Sequence, residues 1–212
     1  MDHHPRNQPH WSPRLMNLDH RELEGAWVRL EPITDAHKDG LRGALDCDPA
    51  SWEIMPLNGC GEGFDDFWAG LTGEQAKGGR LAYAIVRRED GAVVGTTSYL
   101  NIQRLHQNLE VGSTFLRPEA RSTPINAESK RLLLAHAFDS GAVRVQFNVD
   151  VRNARSQAAV EKLGAEKEGV LRQNKITWTG HLRDTAVFSI IDKDWPAVRQ
   201  RLDWRLSEDF VA

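Results

Sequence analysis

The residues best placed to do chemistry lie in two strand-to-helix junctions of this 212-residue chain. The first reads Arg121-Ser-Thr-Pro-Ile-Asn126, in which Thr123 has the character of a helix N-cap and Pro124 that of a first helical residue, so a helix is predicted from about residue 124. The second begins at Asn153, which can cap a helix running through Leu163 that Gly164 ends in a left-handed conformation. A helix N-terminus offers unpaired backbone N–H groups and the positive end of the helix dipole, a combination suited to phosphate. At the first junction Pro124 has no N–H to give, so the donors are those of Ser122, Thr123, Ile125 and Asn126, assisted by hydroxyls and by the charge of Arg121. The competing reading is a pair of helix caps that touch no ligand.

The elements that position these junctions follow from periodicity. Leu109, Val111, Ser113 and Phe115 alternate as in a half-buried strand, and Leu133/Ala137 and Leu134/Phe138 repeat at helical spacing until Ser140-Gly141 closes the helix. Val143, Val145, Phe147 and Val149 then share one face of a strand, with Arg144, Gln146, Asn148 and Asp150 on the other. A strand-helix-strand crossover of this length favours parallel strands and a right-handed connection, which brings both helix N-termini to one edge of the sheet.

Before these units, Ala26–Glu31 reads as a strand, Thr34 caps a helix through about Leu45, Asp48-Pro49 opens a short helix carrying Trp52, and Phe64–Ala76 forms another with Phe67, Trp68 and Leu71 inward. Gly59, Gly61 and Gly63 loosen the loop between them, so this aromatic region reads either as a substrate wall or as two amphipathic helices on a sheet. Leu81–Arg87 and Ala92–Leu100 form a hairpin through an Asp-Gly turn. Glu168–Arg172 and Arg183–Ile191 are a last strand pair linked through Trp178-Thr-Gly180, and a helix over Lys193–Leu202 closes the chain.

The totals bound what such a chain does. A formal net charge of −3 without a basic block argues against nucleic acid and membrane surfaces as partners. No apolar run approaches the roughly 20 residues that span a bilayer. Cys47 and Cys60 form no Cys-x-x-Cys motif and read as reduced thiols of a cytoplasmic protein. His3, His4 and His10 lack the spaced partners of a metal site, and no metal is expected. Prolines 5, 9 and 13 suggest an N-terminal tail over residues 1–20, with Met16 as an alternative translation start, one domain over 21–205 and a C-terminal tail over 206–212.

Read together, this order resembles the GCN5-related N-acetyltransferase (GNAT) superfamily, and within it the branch that acetylates ribosomal-protein N-termini. Three stretches carry the resemblance over residues 22 to about 200: Leu23 to Pro32 with His37 following, Arg121 to Leu134, and Asn153 to Ala165, where Asn-x-x-Ser and Lys-Leu-Gly-Ala keep the family's spacing. The resemblance implies an α/β fold in which a mixed, mostly antiparallel sheet splays between two parallel strands, with helices on both faces and acetyl-CoA in the gap. Its pyrophosphate would meet the loop from Arg121 to Asn126, although Ser122 and Pro124 stand where the family usually has glycines. Asn153 and Ser156 match the residues that contact the pantetheine arm. Many members carry a tyrosine acid four residues after that serine; Val160 stands there, so the resemblance makes Ser156 the candidate acid.

By the same resemblance Glu110 is the candidate base, its alternative being a solvent-facing strand residue. A backbone N–H near Phe115 or Leu116 would polarise the thioester carbonyl, and Arg117 joins them among the cofactor-binding residues. Trp52, Trp68 and Trp178 would line the acceptor, and His106 is a reserve base, while His37, His136 and His181 read as surface or cap residues. The expected activity is direct acetyl transfer from acetyl-CoA to a primary amine, either a protein N-terminus or a small molecule, in a possible homodimer. Pro124 and Val160 motivate a second expectation, a non-catalytic acyl-CoA-binding module, and a longer acyl donor is a third.

Overall fold

The computed structural model describes residues 15–207. Within them a single eight-stranded sheet has the order β1-β2-β3-β4-β5-β6-β8-β7. The strands are β1 Leu23–Glu24, β2 Val28–Pro32, β3 Arg80–Arg87, β4 Val93–Gln103, β5 Asn108–Leu116, β6 Arg144–Asp150, β7 Glu166–Ile176 and β8 Leu182–Ile191. All neighbours pair antiparallel except β5 and β6, which run parallel. Between those two lies the expected crossover helix, α3 (Pro124–Asp139), because parallel neighbours cannot be joined by a tight turn.

Two apolar clusters cover the two faces of the sheet. On one, Ile85, Leu109, Val111, Val145 and Phe147 pack with Leu133 and Leu134 of α3, Leu163 of α4 (Ala154–Leu163) and Leu202 of α5 (Trp195–Leu206). On the other, Ala82, Ala84 and Val86 pack with Leu41 of α1 (Lys38–Leu45) and with Phe64, Phe67 and Leu71 of α2 (Phe64–Ala76). Each of the larger side chains removed from water contributes about 1.5–3 kcal/mol, so the clusters fix which way the strands face. No helix among the described residues is long and apolar enough to cross a membrane.

Four local expectations need correction. Residues 15–20, assigned to the N-terminal tail, are docked: Met16 and Leu18 are 1% and 2% exposed, and the Arg104 guanidinium donates to both of their carbonyls. Apolar side chains two apart bury together on an extended segment, which prolines upstream do not prevent. Residues 1–14, with His3, His4 and His10, lie outside the described residues, as do 208–212. The strand expected over Ala26–Glu31 is β2, which runs from Val28 to Pro32 and is preceded by the two-residue β1, and the closing helix runs on to Leu206.

The fourth correction concerns β5, whose alternation does not hold to its end. Leu109 and Val111 face α3, but Phe115 lies on the other face, stacked on Trp52 at 4.0 Å between ring centroids. The cause is a β-bulge: Ser98 pairs with Gly112 and Thr96 with Phe115, so Thr97 alone opposes both Ser113 and Thr114. Ser113 takes φ 46° to accommodate the extra residue, and every later side chain changes face. Just before this bulge the sheet opens. β5 and β6 pair only over Asn108–Glu110 with Arg144–Gln146, so the backbone of β5 from Val111 onward has no β6 partner. α3 and α4 both begin at that open end, because each follows the C-terminus of one of the two parallel strands.

Candidate functional site

Glu110 occupies the last paired position of β5, pointing away from α3. It is 5% exposed and so is not a solvent-facing strand residue. Its Oε2 accepts from Asn101 Nδ2 at 2.7 Å and from Asn148 Nδ2 at 2.8 Å. Its Oε1 lies over Gly112, 2.9 Å from where a Cβ would stand, a space only glycine leaves open. The polar face of β6 continues the network: Gln146 donates to Asn148 Oδ1 at 3.0 Å, and Arg144 donates to Gln146 Oε1 at 3.0 Å.

Buried cations flank this carboxylate. Arg80 is 8% exposed and donates to Ser113 Oγ at 2.6 Å; Arg183 is 5% exposed and donates to Thr185 Oγ1 at 3.1 Å, with Asp150 at 3.8 Å. Burial pulls both guanidiniums below their ordinary range, and the charge of Glu110 opposes that pull in each. Ser98 Oγ, buried on the same face, has no hydrogen-bond partner. Among the described residues no group of three or more His, Cys, Asp or Glu side chains is arranged to hold a metal.

The turn between β7 and β8 arches over this face and fastens to the segment after Trp52. Trp178 donates from Nε1 to Trp52 O at 2.7 Å and from its backbone to Met55 O at 3.1 Å, and Thr179 donates to Glu53 O at 3.3 Å. Trp178 keeps 49% of its surface exposed. Trp52 and Trp68, named with it as acceptor walls, are instead 1% and 7% exposed within the second core, stacked on Phe115 and Phe64. Aromatic rings at helical spacing fill that core, so these two shape the site only through the backbone they hold in place.

At the first junction Thr123 caps α3, accepting from the Ile125 N–H at 3.3 Å while donating to Ala120 O at 2.8 Å. Arg121 does not offer a free charge, because it is held by Leu116 O at 2.9 Å and Asp48 Oδ2 at 2.5 Å; Arg117 is likewise paired with Glu119. The side chains of Phe115 and Ile125 face the cores, so only their backbones reach the open end, and Asn126 is half-buried. Ser122, standing where the family's glycine is expected, takes φ 59°. That conformation strains an L-residue, so Ser122→Gly should raise stability by about 0.5–1 kcal/mol after the entropy of the freer unfolded chain is subtracted. A lower thermal midpoint for the variant would count against it. At the second junction Asn153 Oδ1 accepts from the Ser156 N–H at 3.0 Å, with Ser156 partly buried and Val160 7% exposed in the first core.

Asn101, Arg80 and Arg183 carry no motif in the sequence, and neither does Lys130. Lys130 of α3 is 6% exposed, and its Nζ donates to Thr114 Oγ1 at 2.5 Å and Thr97 Oγ1 at 3.3 Å. Helical spacing from Leu134 and Ala137 was the signal that it points inward. Burial pushes its ammonium from an ordinary 10.5 down to about 7. The folded chain thus binds this proton more weakly than the unfolded chain, so its effect on stability becomes more favourable as pH rises from about 7 towards 10.5. Lys130→Met should be more stable than wild type at pH 7, with the gap in thermal midpoint closing by pH 10; a gap that does not change with pH would remove the assignment.

A family model described as an acetyltransferase (GNAT) domain matches residues 28–166. The uncharacterised N-acetyltransferase YoaA of Bacillus subtilis is 30% identical over 112 residues, a match spanning 52% of this chain but only 62% of that protein's length. A GCN5-related N-acetyltransferase from Brucella melitensis has a TM-score of 0.82 at 27% identity, with 95% of this chain and 92% of that one covered. Mycobacterium smegmatis RimJ, solved in complex with CoA-disulfide, shares the fold with a TM-score of 0.71 at 21% identity over 84% of this chain and 88% of its own. With that model match running from β2 to the first residue of β7, across the splayed parallel pair and both helix junctions, the chain belongs to the GNAT acetyltransferase family.

Proposed function

We propose that the protein is an N-acetyltransferase that takes its acetyl group from acetyl-CoA and places it directly on a primary amine. The observation that carries this reading is Glu110, a carboxylate held by two amide donors beside the opening between β5 and β6. Acetyl-CoA fits the rest of the open end in chemistry. The unpaired N–H groups at the starts of α3 and α4 suit a diphosphate and a pantetheine amide, and RimJ, of like fold, was solved with a CoA derivative.

In this scheme Glu110 takes a proton from the acceptor ammonium, leaving a lone pair on nitrogen. Because an α-amino group has a pKa of about 7.7–8.0, a modest base is enough. β5 backbone N–H groups beyond Glu110 receive the negative charge that builds on the thioester oxygen as the C–N bond forms. As the C–S bond breaks, Ser156 passes its hydroxyl proton to the departing thiolate and takes in its place the second proton of the nitrogen, cationic since the attack; a thiolate pKa near 8.5 makes little help necessary. Trp178 borders the acceptor's approach, which suits a protein N-terminus or a small amine.

The test is calorimetric binding of acetyl-CoA together with thiol release across peptides, polyamines, amino acids and aminoglycosides. Neither binding nor release would sink the reading. Tight binding without release from any amine would favour the second reading, a non-catalytic acyl-CoA module, which Pro124 and the apolar Val160 support.

A further inference from the structure

The bulge in β5 is held from both faces of the sheet by a buried cation. From the α3 side Lys130 binds the hydroxyls of Thr114 and Thr97, which lie 2.8 Å from one another. From the opposite side Arg80 binds the hydroxyl of Ser113, the bulged residue at φ 46°. A bulge with no further purpose would be made more cheaply. Glycine at 113 would remove the strain, and an apolar residue at 130 would avoid burying an amine that has hydroxyls but no carboxylate among its hydrogen-bond partners. The arrangement instead spends stability on fixing one short piece of backbone, and that piece follows immediately after Glu110 where β5 parts from β6.

We propose that Lys130 and Arg80 are positioning residues for acetyl transfer: together they hold the bulge so that the unpaired N–H groups of β5 aim at the thioester carbonyl. This rests on the acetyl-transfer reading above. Neither side chain touches the reacting atoms. Each acts through a hydroxyl on β5, Lys130 through Thr114 and Arg80 through Ser113. Their effect belongs to the transition state, where the carbonyl oxygen gains charge, rather than to the binding of acetyl-CoA.

Lys130→Met and Thr114→Val test this singly and combined. Each should lower kcat by roughly tenfold to a hundredfold, the scale of a donor misplaced by about 1 Å, and leave the KM for acetyl-CoA within about threefold of wild type. The double variant should fall close to either single one, because both release the same bulge. Amide exchange over residues 112–116 should accelerate about tenfold in all three, while protection in α3 is retained. Unaltered kcat in an active enzyme, additive losses, or KM rising in step with kcat falling would each overturn the proposal alone. A wild-type protein that releases no thiol would overturn it together with the reading on which it rests.

Discussion

Glu110→Gln is expected to lower kcat/KM at pH 7 by roughly 10²–10⁴, the range that a positioned general base contributes, while acetyl-CoA binding and the thermal midpoint stay close to wild type. The fold should survive because the amide keeps an oxygen where Oε2 now accepts from Asn101 and Asn148, and keeps the volume that Gly112 leaves open. What it loses is the capacity to take a proton. The deficit should therefore depend on pH through the acceptor. An α-amino group titrates at about 7.7–8.0, so its neutral fraction rises about tenfold between pH 7 and 9.5 and the variant should recover about that factor of the lost rate. Polyamines, with amines near 10.4, gain neutral form by roughly 10²-fold over the same interval and should recover by a larger factor. A variant equally slow at every pH would assign Glu110 to the architecture of the site, and one as fast as wild type would remove it from the chemistry.

Several elements were legible because their signals are local. α2 begins and ends where expected, since Phe64, Phe67, Trp68 and Leu71 repeat at helical spacing behind a glycine-rich loop. The β3–β4 hairpin follows from Asp90-Gly91, where the glycine takes φ 71°. Gly164, ending α4 at φ 101°, is of the same kind. The parallel pair was also inferable, because only a crossover joins β5 to β6.

What stayed hidden depends on partners far away in the chain. The bulge is a mismatch between β4 and β5, so it is not visible in β5 alone. Arg121 looked like a free charge near a phosphate loop, but its partner Asp48 is 73 residues away. Glu110 alternates like any outward strand residue. Its burial comes from Asn101 and from Asn148, 38 residues on. Lys130 is not legible from its residue type, since lysine is usually solvated, even though its helical phase places it inside.

Removing the Glu128 carboxylate should produce the largest loss of stability. Glu128 is 7% exposed on α3, and its Oε1 accepts from the Ala26 N–H at 2.7 Å while its Oε2 accepts from Trp27 and Val28 at 2.6 and 2.9 Å. Three successive backbone donors, two in the turn between β1 and β2 and one at the first residue of β2, thus converge on one side chain of α3, about 100 residues away in sequence. Glu128→Ala leaves those donors without their acceptor. Water can reach Ala26 and Trp27, which lie at the surface, but not the buried Val28 N–H. The expected cost is about 3 kcal/mol, within a range of roughly 2–5, or a fall in thermal midpoint of about 6–12 °C for a chain of this size. Glu128→Gln should cost less, since its oxygen still accepts although its NH2 now faces a donor. Gly25→Ala should reproduce the loss from the other side, because the new Cβ would stand 2.3 Å from the Glu128 carboxyl carbon. Both oxygens of Glu128 are occupied by the turn, unlike Glu110, whose Oε1 lies over an open glycine. Glu128→Ala should therefore retain most of its kcat at a temperature where it is still folded. If kcat fell there as far as in Glu110→Gln, Glu128 would have to be counted in the transfer chemistry rather than in the fastening of β2 to α3.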